Sequence, residues 1–228
     1  MILGGLQKFS LVDYPGKTCA ILFTRGCNFR CPYCHNPELV WPEQYTPEIS
    51  LEGVLDFLRQ RRGLLEAVTL TGGEPTLQAD LPAVARSIKE MGFALKLDSN
   101  GSRPAVLREL IEAGLVDYVA MDVKAPFNQY ARVCGADISI EPIKESIALL
   151  LQGRVDYEFR TTVDRALLDE QDLLEIGEMI RGAGKYYLQK LNDFNAKDPQ
   201  SKPNREDDAW LRQEAEKLQR FVKVCEVR

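Results

Sequence analysis

Short apolar runs alternate with helical patterns along this chain of 228 residues, and that alternation restricts its fold more than any other feature. The runs have the length of buried strands and cover residues 20–23, 67–70, 94–97, 118–121, 157–163 and 186–191. Between them, apolar residues recur at the spacing of an amphipathic helix, as they do after the candidate N-cap Ser50. A strand followed by a helix, repeated about six times, predicts an α/β fold in which helices cover a parallel sheet.

Two architectures contain such a repeat: an open doubly wound sheet, and a barrel that is partly or wholly closed. Six strands favour a partial (β/α)6 TIM-like barrel, open on one side, with a cysteine-rich loop after its first strand. No internal boundary stands out, so the sequence predicts a single domain over residues 1–228. Residues 1–18 would be an N-terminal extension, and residues 193–228 a polar loop followed by a C-terminal helix.

Composition favours a globular protein in a reducing compartment. The chain is 45% hydrophobic and 28% charged, and its net charge of −5 argues against a general nucleic-acid or membrane binder. It does not open with a basic stretch and a long apolar run, and no stretch is long enough to span a bilayer. We therefore expect a cytoplasmic protein, in which clustered cysteines bind metal more often than they form disulfides.

Three cysteines, Cys27, Cys31 and Cys34, stand close together in residues 25–35, which we call the cysteine loop. Thiolates are soft ligands suited to iron–sulfur clusters, zinc or copper(I), and a closed cluster usually takes four of them. With only three cysteines, one metal of such a cluster would lack a cysteine ligand, and a substrate or cofactor could bind to it. His35 could close a noncatalytic zinc site, but adjacent residues rarely reach one metal together. The other cysteines are expected to be small buried side chains: Cys19, Cys134 and Cys225.

Polar segments follow the other predicted strands at the point where each strand ends. They are 71–74 (Thr-Gly-Gly-Glu), 98–101 (Asp-Ser-Asn-Gly), 122–124 (Asp-Val-Lys), 160–162 (Arg-Thr-Thr) and 189–190 (Gln-Lys). The carboxyl ends of parallel strands meet at one edge of the sheet, so we expect these segments to gather around the cysteine loop. Arg160 stands in an apolar strand, where an unpaired charge is costly. It therefore needs an anionic partner, either a ligand carboxylate or a structural acid.

The cysteine loop, with Tyr33 before its last cysteine and Gly72-Gly73-Glu74 one strand later, resembles the radical S-adenosylmethionine superfamily. The resemblance implies that the three cysteines are catalytic and hold a [4Fe–4S] cluster. The fourth iron would be chelated by S-adenosylmethionine, which the reduced cluster would cleave to a 5′-deoxyadenosyl radical. Gly72 and Gly73 would let the backbone approach this cofactor closely, and Glu74 would accept a hydrogen bond from the methionyl ammonium.

Residues 31–36 (Cys-Pro-Tyr-Cys-His-Asn) resemble a narrower group, the glycyl radical enzyme activating enzymes, and segments 98–101 and 122–124 resemble two further motifs of that group. The resemblance implies that Asp98 orients the methionyl amino end and that Lys124 supplies a cation for the carboxylate. The cofactor-binding residues would be Tyr33, His35, Gly72, Gly73, Glu74, Asp98, Ser99, Asn100, Asp122, Lys124 and Arg160.

Within that set the resemblance assigns two further roles. Tyr33 and His35 would lie against the adenine. Asp98, Ser99 and Asp122, with a backbone carbonyl, would hold a monovalent cation beside the carboxylate, as in the pyruvate formate-lyase activating enzyme, because oxygen ligands suit such a hard ion.

The opening segment 5–17 resembles the longer form of the anaerobic ribonucleoside-triphosphate reductase activating proteins. That resemblance implies an activase that generates a glycyl radical on anaerobic ribonucleotide reductase, with a flavodoxin or ferredoxin as electron donor. Gln189 stands where formate-lyase activators carry a histidine, which counts against pyruvate formate-lyase as the partner. Three alternatives remain: another glycyl radical enzyme as partner, a small-molecule substrate as in carboxy-deazaguanine synthases, and the noncatalytic zinc module.

Overall fold

The computed structural model describes residues 1–191 and 207–228, in which eight strands form one sheet in chain order. The strands are β1 (Leu3–Ser10), β2 (Cys19–Thr24), β3 (Ala67–Gly72), β4 (Ala94–Ser99), β5 (Tyr118–Asp122), β6 (Asp156–Val163), β7 (Lys185–Lys190) and β8 (Val224–Val227). β1 runs antiparallel to β2, and every later pair of neighbours is parallel. The strand order never reverses, which excludes the doubly wound sheet.

Helices connect the parallel strands and pack on one face of the sheet. They are α1 (Pro37–Val40), α2 (Leu51–Gln60), α3 (Leu81–Glu90), α4 (Pro104–Glu112), α5 (Tyr130–Cys134), α6 (Glu141–Leu151), α7 (Glu170–Met179) and α8 (Asp207–Leu218). Ser50 caps α2 as predicted, because its side chain accepts a hydrogen bond from the Gly53 backbone N–H at 3.2 Å. Within the described ranges, no helix is long and apolar enough to cross a membrane.

The predicted fold class is confirmed, because β1 and β8 are the two edges of an open sheet. The six predicted strands form as β2 to β7, but the predicted number of strands is too low. β1 lies in what was expected to be an extension, and β8 follows the C-terminal helix α8. β1 contains Gly4 and Gly5 and two register shifts, and β8 has four residues, so neither forms a continuous apolar run. Residues 193–206 of the predicted polar loop lie outside the described residues.

Side chains alternate between the two faces of the sheet, and the two faces differ in chemistry. In β4, Leu95 and Leu97 belong to the main core under the helices, whereas Asp98 lies on the opposite, inner face with Lys96. A small apolar cluster also lies on the inner face and consists of Tyr14, Cys19, Ile21, Ala67, Tyr118 and Ala120. Cys19, Cys134 and Cys225 are buried free thiols, as predicted. The inner face is thus the one that presents polar groups beyond the strand ends.

Candidate active site

The polar segments at the strand ends meet around one cavity of about 300 Å³, at the lower end of the range for ligand pockets. All of the residues predicted for the site line it: Cys27, Cys31, Tyr33, Cys34, His35, Gly72, Gly73, Glu74, Asp98, Ser99, Asn100, Asp122, Lys124 and Arg160. Gln189 lines it as well. The expected gathering around the cysteine loop is therefore confirmed, while the binding role of each residue stays a prediction.

Asp13 also lines the cavity, although no motif pointed to it. It lies between β1 and β2, where its carboxylate accepts a hydrogen bond from Ser10 Oγ. Its backbone carbonyl accepts from Thr69 Oγ1 at 3.4 Å, and the next residue, Tyr14, packs its ring on Tyr118 with centroids 5.9 Å apart. The opening segment therefore folds over the inner face of the sheet. Its resemblance over residues 5–17 was the available signal, but it assigned Asp13 no role.

Hydrogen bonds from two sides shape the cysteine loop. The Arg30 guanidinium donates to the backbone carbonyls of Cys27 and Phe29, at 2.7 Å each. The Arg30 backbone N–H donates to the carbonyl of Cys134 in α5 at 2.8 Å. The aromatic rings of Phe29 and Tyr130 meet edge to face, with centroids 6.4 Å apart. The loop is therefore held in place by α5 as well as by its own strand.

The three loop cysteines do not form a site for a single ion. Among residues 1–191 and 207–228, no three His, Cys, Asp or Glu side chains are placed to bind one metal ion. A structural zinc site needs such convergence, whereas each cysteine of a cubane cluster binds a separate iron. Three thiols that line one cavity are compatible with such a cluster.

Burial keeps the loop cysteines protonated in the absence of metal, because it raises the pKa of Cys27 to about 12 and that of Cys31 to about 11. Binding iron as thiolates would therefore release protons. The Cys27 sulfur accepts hydrogen bonds from the Phe29 backbone N–H at 3.4 Å and from the Asn100 side-chain amide at 3.9 Å. Such donors stabilise a thiolate and tune the metal that it binds.

Gly72 and Gly73 make a close contact within the protein that the sequence did not predict. A Cβ on Gly72 would lie 2.5 Å from the backbone N and O of Thr24, and one on Gly73 would lie 2.1 Å from the Gly26 carbonyl oxygen. Gly73 N–H donates to Thr24 O, and Glu74 N–H donates to Gly26 O, at 2.8 Å each. The glycines thus let the end of β3 pack against the end of β2 and the start of the cysteine loop. Their close approach to the cofactor stays a prediction.

Glu74 is buried, and most of its hydrogen-bonding capacity is used within the protein. Its Oε1 accepts from the backbone N–H and hydroxyl of Thr76 and from the hydroxyl of Ser99, at 3.1, 2.5 and 2.9 Å. Its Oε2 accepts from the Asn100 backbone N–H at 2.6 Å. Burial raises the pKa of Glu74. Only Oε2 keeps capacity for the predicted hydrogen bond from a methionyl ammonium.

Five charged side chains from the ends of β4, β5 and β6 form what we call the ion-pair cluster: Lys96, Asp98, Asp122, Lys124 and Arg160. Arg160 donates from Nη1 to Asp98 at 3.1 Å and from Nε to Asp122 at 2.8 Å. Lys124 pairs with Asp122 at 2.9 Å, and Lys96 pairs with Asp98. The anionic partners of Arg160 are therefore structural acids. Lys96 carries no motif and was not predicted.

The ion pairs decide the charge of the two aspartates. Burial acts to raise their pKa, but Arg160 and Lys96 outweigh it at Asp98, and Arg160 and Lys124 outweigh it at Asp122. The pKa of each carboxyl lies below its usual value, so both are ionised at neutral pH.

Two buried polar atoms beside the cysteines have no hydrogen-bond partner: the Tyr33 hydroxyl and His35 Nε2. Burial lowers the pKa of His35, so its imidazole is neutral at pH 7. An unpartnered buried polar group is costly, and both residues line the cavity. A polar ligand there would relieve that cost, which fits the predicted contact with adenine.

A sequence profile of the radical SAM superfamily matches residues 21–181 of the chain. The chain belongs to this superfamily. This radical SAM protein is 35% identical over 209 residues to a Methanocaldococcus jannaschii protein described as a glycyl-radical enzyme activating enzyme, covering 88% of this chain and 84% of that one. It is 30% identical over 189 residues to the pyruvate formate-lyase-activating enzyme of Staphylococcus epidermidis, covering 78% and 74%. These relatives place it among the glycyl radical activating enzymes of the superfamily.

The radical SAM fold is also evident from more distant similarity. The chain is 31% identical over 175 residues to a Thermococcus kodakarensis protein described as a GTP 3′,8-cyclase, covering 75% of this chain and 54% of that one. A solved domain of pyruvate-formate lyase-activating enzyme from Bacteroides vulgatus superposes with a TM-score of 0.57 at 17% identity, over 72% of this chain and 99% of that one. The superposition establishes the shared fold.

The superfamily implies a [4Fe–4S] cluster and S-adenosylmethionine, and the cavity fits both. Cys27, Cys31 and Cys34 are separate thiols suited to three irons, and the free polar atoms of Tyr33 and His35 suit a nucleoside. The monovalent cation predicted beside them fits less well, because the aspartates that would bind it are already paired with protein cations.

Proposed function

We propose that this radical SAM enzyme generates a glycyl radical on anaerobic ribonucleotide reductase. The observation that carries the proposal is that three thiols, two unpartnered polar atoms and four members of the ion-pair cluster line the same cavity; those four are Asp98, Asp122, Lys124 and Arg160. When bound there, the cluster and S-adenosylmethionine supply the electron and the 5′-deoxyadenosyl group for hydrogen abstraction from a glycine. A flavodoxin or ferredoxin would provide the electron.

The cavity residues would bind and orient S-adenosylmethionine by charge and hydrogen bonding. Lys124 lies at the carboxyl edge of β5, where its ammonium would attract the methionyl carboxylate. Glu74 Oε2 would accept from the methionyl ammonium, beside Asp98. Tyr33 and neutral His35 would pair with polar atoms of the adenosine. In each of these roles, the protein group can still form a further hydrogen bond or ion pair beyond those it makes within the protein.

The opening segment supports a partner of protein size. Phe9, Leu11 and Val12 are exposed, the last two by 67% and 85%, and Asp13 beside them lines the cavity. Neighbouring exposed apolar side chains at the mouth of a site favour docking of another protein. The resemblance of residues 5–17 to activators of anaerobic ribonucleotide reductase supports that enzyme, and Gln189 in the cavity wall argues against pyruvate formate-lyase.

The proposal is tested by mixing the reduced holoenzyme, S-adenosylmethionine and anaerobic ribonucleotide reductase without oxygen and recording the electron paramagnetic resonance spectrum. We expect the doublet of a glycyl radical with the reductase and none with pyruvate formate-lyase. A doublet with pyruvate formate-lyase alone would overturn the choice of partner. Cleavage of S-adenosylmethionine without a doublet on any glycyl radical enzyme would overturn the activase itself.

Serine at both Leu11 and Val12 is expected to slow glycyl radical formation by about tenfold, equivalent to about 1.4 kcal/mol of lost docking energy. Cleavage of S-adenosylmethionine without the partner should be unchanged, because these exposed side chains are not in contact with the cavity. The two rates are measured by electron paramagnetic resonance and by chromatography of 5′-deoxyadenosine.

Leu64→Ser is the matched control for that variant, because Leu64 is 66% exposed and does not line the cavity. It should leave both rates unchanged. Equal rates of radical formation in the double variant and the control would show that the opening segment does not dock the partner.

The alternative is a radical SAM enzyme for a small molecule. The similarity to a GTP 3′,8-cyclase favours it, although that match covers 54% of the relative. Consumption of a small substrate with no partner protein present, coupled to formation of 5′-deoxyadenosine, would select this alternative.

A further inference from the structure

All four carboxylate oxygens of Asp98 and Asp122 are bound by cations of the protein itself. Lys96 Nζ pairs with Asp98 Oδ1, and Arg160 Nη1 with Asp98 Oδ2 at 3.1 Å. Arg160 Nε pairs with Asp122 Oδ1 at 2.8 Å, and Lys124 Nζ with Asp122 Oδ2 at 2.9 Å. No carboxylate oxygen of the ion-pair cluster is left without a cation.

The register of the sheet produces this arrangement. Lys96 and Asp98 are two residues apart in β4, so they share the inner face. Arg160 in β6 lies directly beside Asp122 in β5. From that position its guanidinium reaches across to Asp98 in the next strand. The side chains of Lys96, Asp98 and Arg160 are at most 15% exposed, so the ion pairs are little screened by solvent.

Ser99, the third predicted ligand of a cation, is also engaged. Its hydroxyl donates to Glu74 Oε1 at 2.9 Å and accepts from the Gly101 backbone N–H at 3.1 Å. A metal cation would therefore have to share each of these oxygens with a donor of the protein.

The charge of the ion-pair cluster also opposes a metal cation. Lys96, Lys124 and Arg160 contribute three positive charges, and the two aspartates contribute two negative charges. The formal sum over the cluster is one positive charge, so the two aspartates have no excess negative charge with which to attract a further cation.

We propose that Lys96 and Arg160 take the place of a monovalent metal cation, so that this protein binds S-adenosylmethionine without one. Arg160 bridges the two aspartates that would otherwise need a metal ion between them. Lys96 neutralises the remaining oxygen of Asp98. Lys124 is left to face the ligand carboxylate. The inference rests on the proposed S-adenosylmethionine site, and its test distinguishes the two.

The first test is the affinity of the reconstituted holoenzyme for S-adenosylmethionine, measured by anaerobic calorimetry at constant ionic strength. The buffers contain sodium, potassium, or tetramethylammonium, which is too bulky to enter the cluster. We expect dissociation constants within about twofold, below the roughly fivefold that marks weak coupling between two binding sites. Fivefold tighter binding with sodium or potassium would overturn the inference. Absence of binding in every buffer would instead overturn the proposed S-adenosylmethionine site.

The second test creates a cation requirement by removing Lys96. Lys96→Met keeps an unbranched side chain but leaves Asp98 Oδ1 without its ammonium. We expect S-adenosylmethionine to bind about tenfold more weakly in tetramethylammonium and to recover with potassium, within the usual range of coupling between sites. Lys144→Met is the control, because Lys144 also pairs with a carboxylate, Glu141 on α6, but does not line the cavity. Equal behaviour of the two variants in all buffers would overturn the inference.

Thallium NMR provides a readout that does not depend on S-adenosylmethionine. Thallium ion is a monovalent mimic, and its resonance broadens on binding. We expect no specific broadening with the wild-type holoenzyme and saturable broadening with Lys96→Met. Saturable binding to the wild type would contradict the inference even if Lys96→Met failed to fold.

Discussion

Replacing Cys31 by alanine is expected to abolish S-adenosylmethionine cleavage. Cys31 is the most buried of the three loop cysteines, so water cannot easily substitute for its sulfur. Loss of an outer-shell partner of a metal site costs about 10–100-fold in affinity or activity, and loss of a direct ligand should exceed that range. Iron and sulfide content after anaerobic reconstitution, together with the yield of 5′-deoxyadenosine, measure the effect.

Cys225→Ala is the matched control, because Cys225 is also a buried free thiol but lies in β8, outside the cavity. It should keep its iron and its activity. A Cys31→Ala variant that retained a full cluster and cleaved S-adenosylmethionine at the wild-type rate would contradict the assignment of the cysteine loop.

Gly73→Ala is expected to have the second largest effect, through the backbone and without removing any ligand. The new Cβ would lie 2.1 Å from the Gly26 carbonyl oxygen, and neither backbone segment can move away as a flexible side chain would. Overpacking typically costs about 1–3 kcal/mol. The hydrogen bonds from Gly73 to Thr24 and from Glu74 to Gly26 should weaken together, which would displace the start of the cysteine loop. We expect a lower melting temperature and loss of most bound iron, measured by circular dichroism and iron analysis.

Gly184→Ala controls for the general effect of adding a methyl group. A Cβ on Gly184 meets no atom within 4 Å, and Gly184 does not have a positive φ. This variant should match the wild type in stability and iron content. A Gly73→Ala protein that did the same would show that contact between β3 and the cysteine loop is not needed for the cluster.

The strands that the sequence predicted correctly are those buried on both faces or nearly so. In β4, for example, the buried residues Leu95 and Leu97 still identify an apolar strand, although Lys96 stands between them. β1 could not be recognised in this way, because it is an edge strand with two glycines and three consecutive exposed residues. Its formation depends on pairing with β2, which is a long-range property and leaves little local signal.

The sequence predicted the site residues that belong to a recognisable motif. It did not predict residues whose part in the site depends on contacts with other strands. The thiols and the segments after β3, β4 and β5 were recognised by their residue types, and they do line one cavity. Lys96 was missed because a lysine within an apolar strand has no motif. The alternation of the strand nevertheless placed it on the same face as Asp98, and that spacing was the available signal. The contact between Gly73 and Gly26 was missed because the two residues are 47 positions apart in sequence.

The distribution of the site over the sheet links cofactor binding to the cooperativity of unfolding. Six successive strands, β2 to β7, each carry a residue at or near the carboxyl end that lines the cavity, so no fragment with fewer strands contains the whole site. A ligand that binds only the folded state stabilises every element that the folded state requires. Oxidative loss of the cluster should therefore lower the thermal midpoint of the whole sheet in one transition, without a separate melting of the cysteine loop. Resistance to heat would then report on the integrity of the cluster as directly as its colour does.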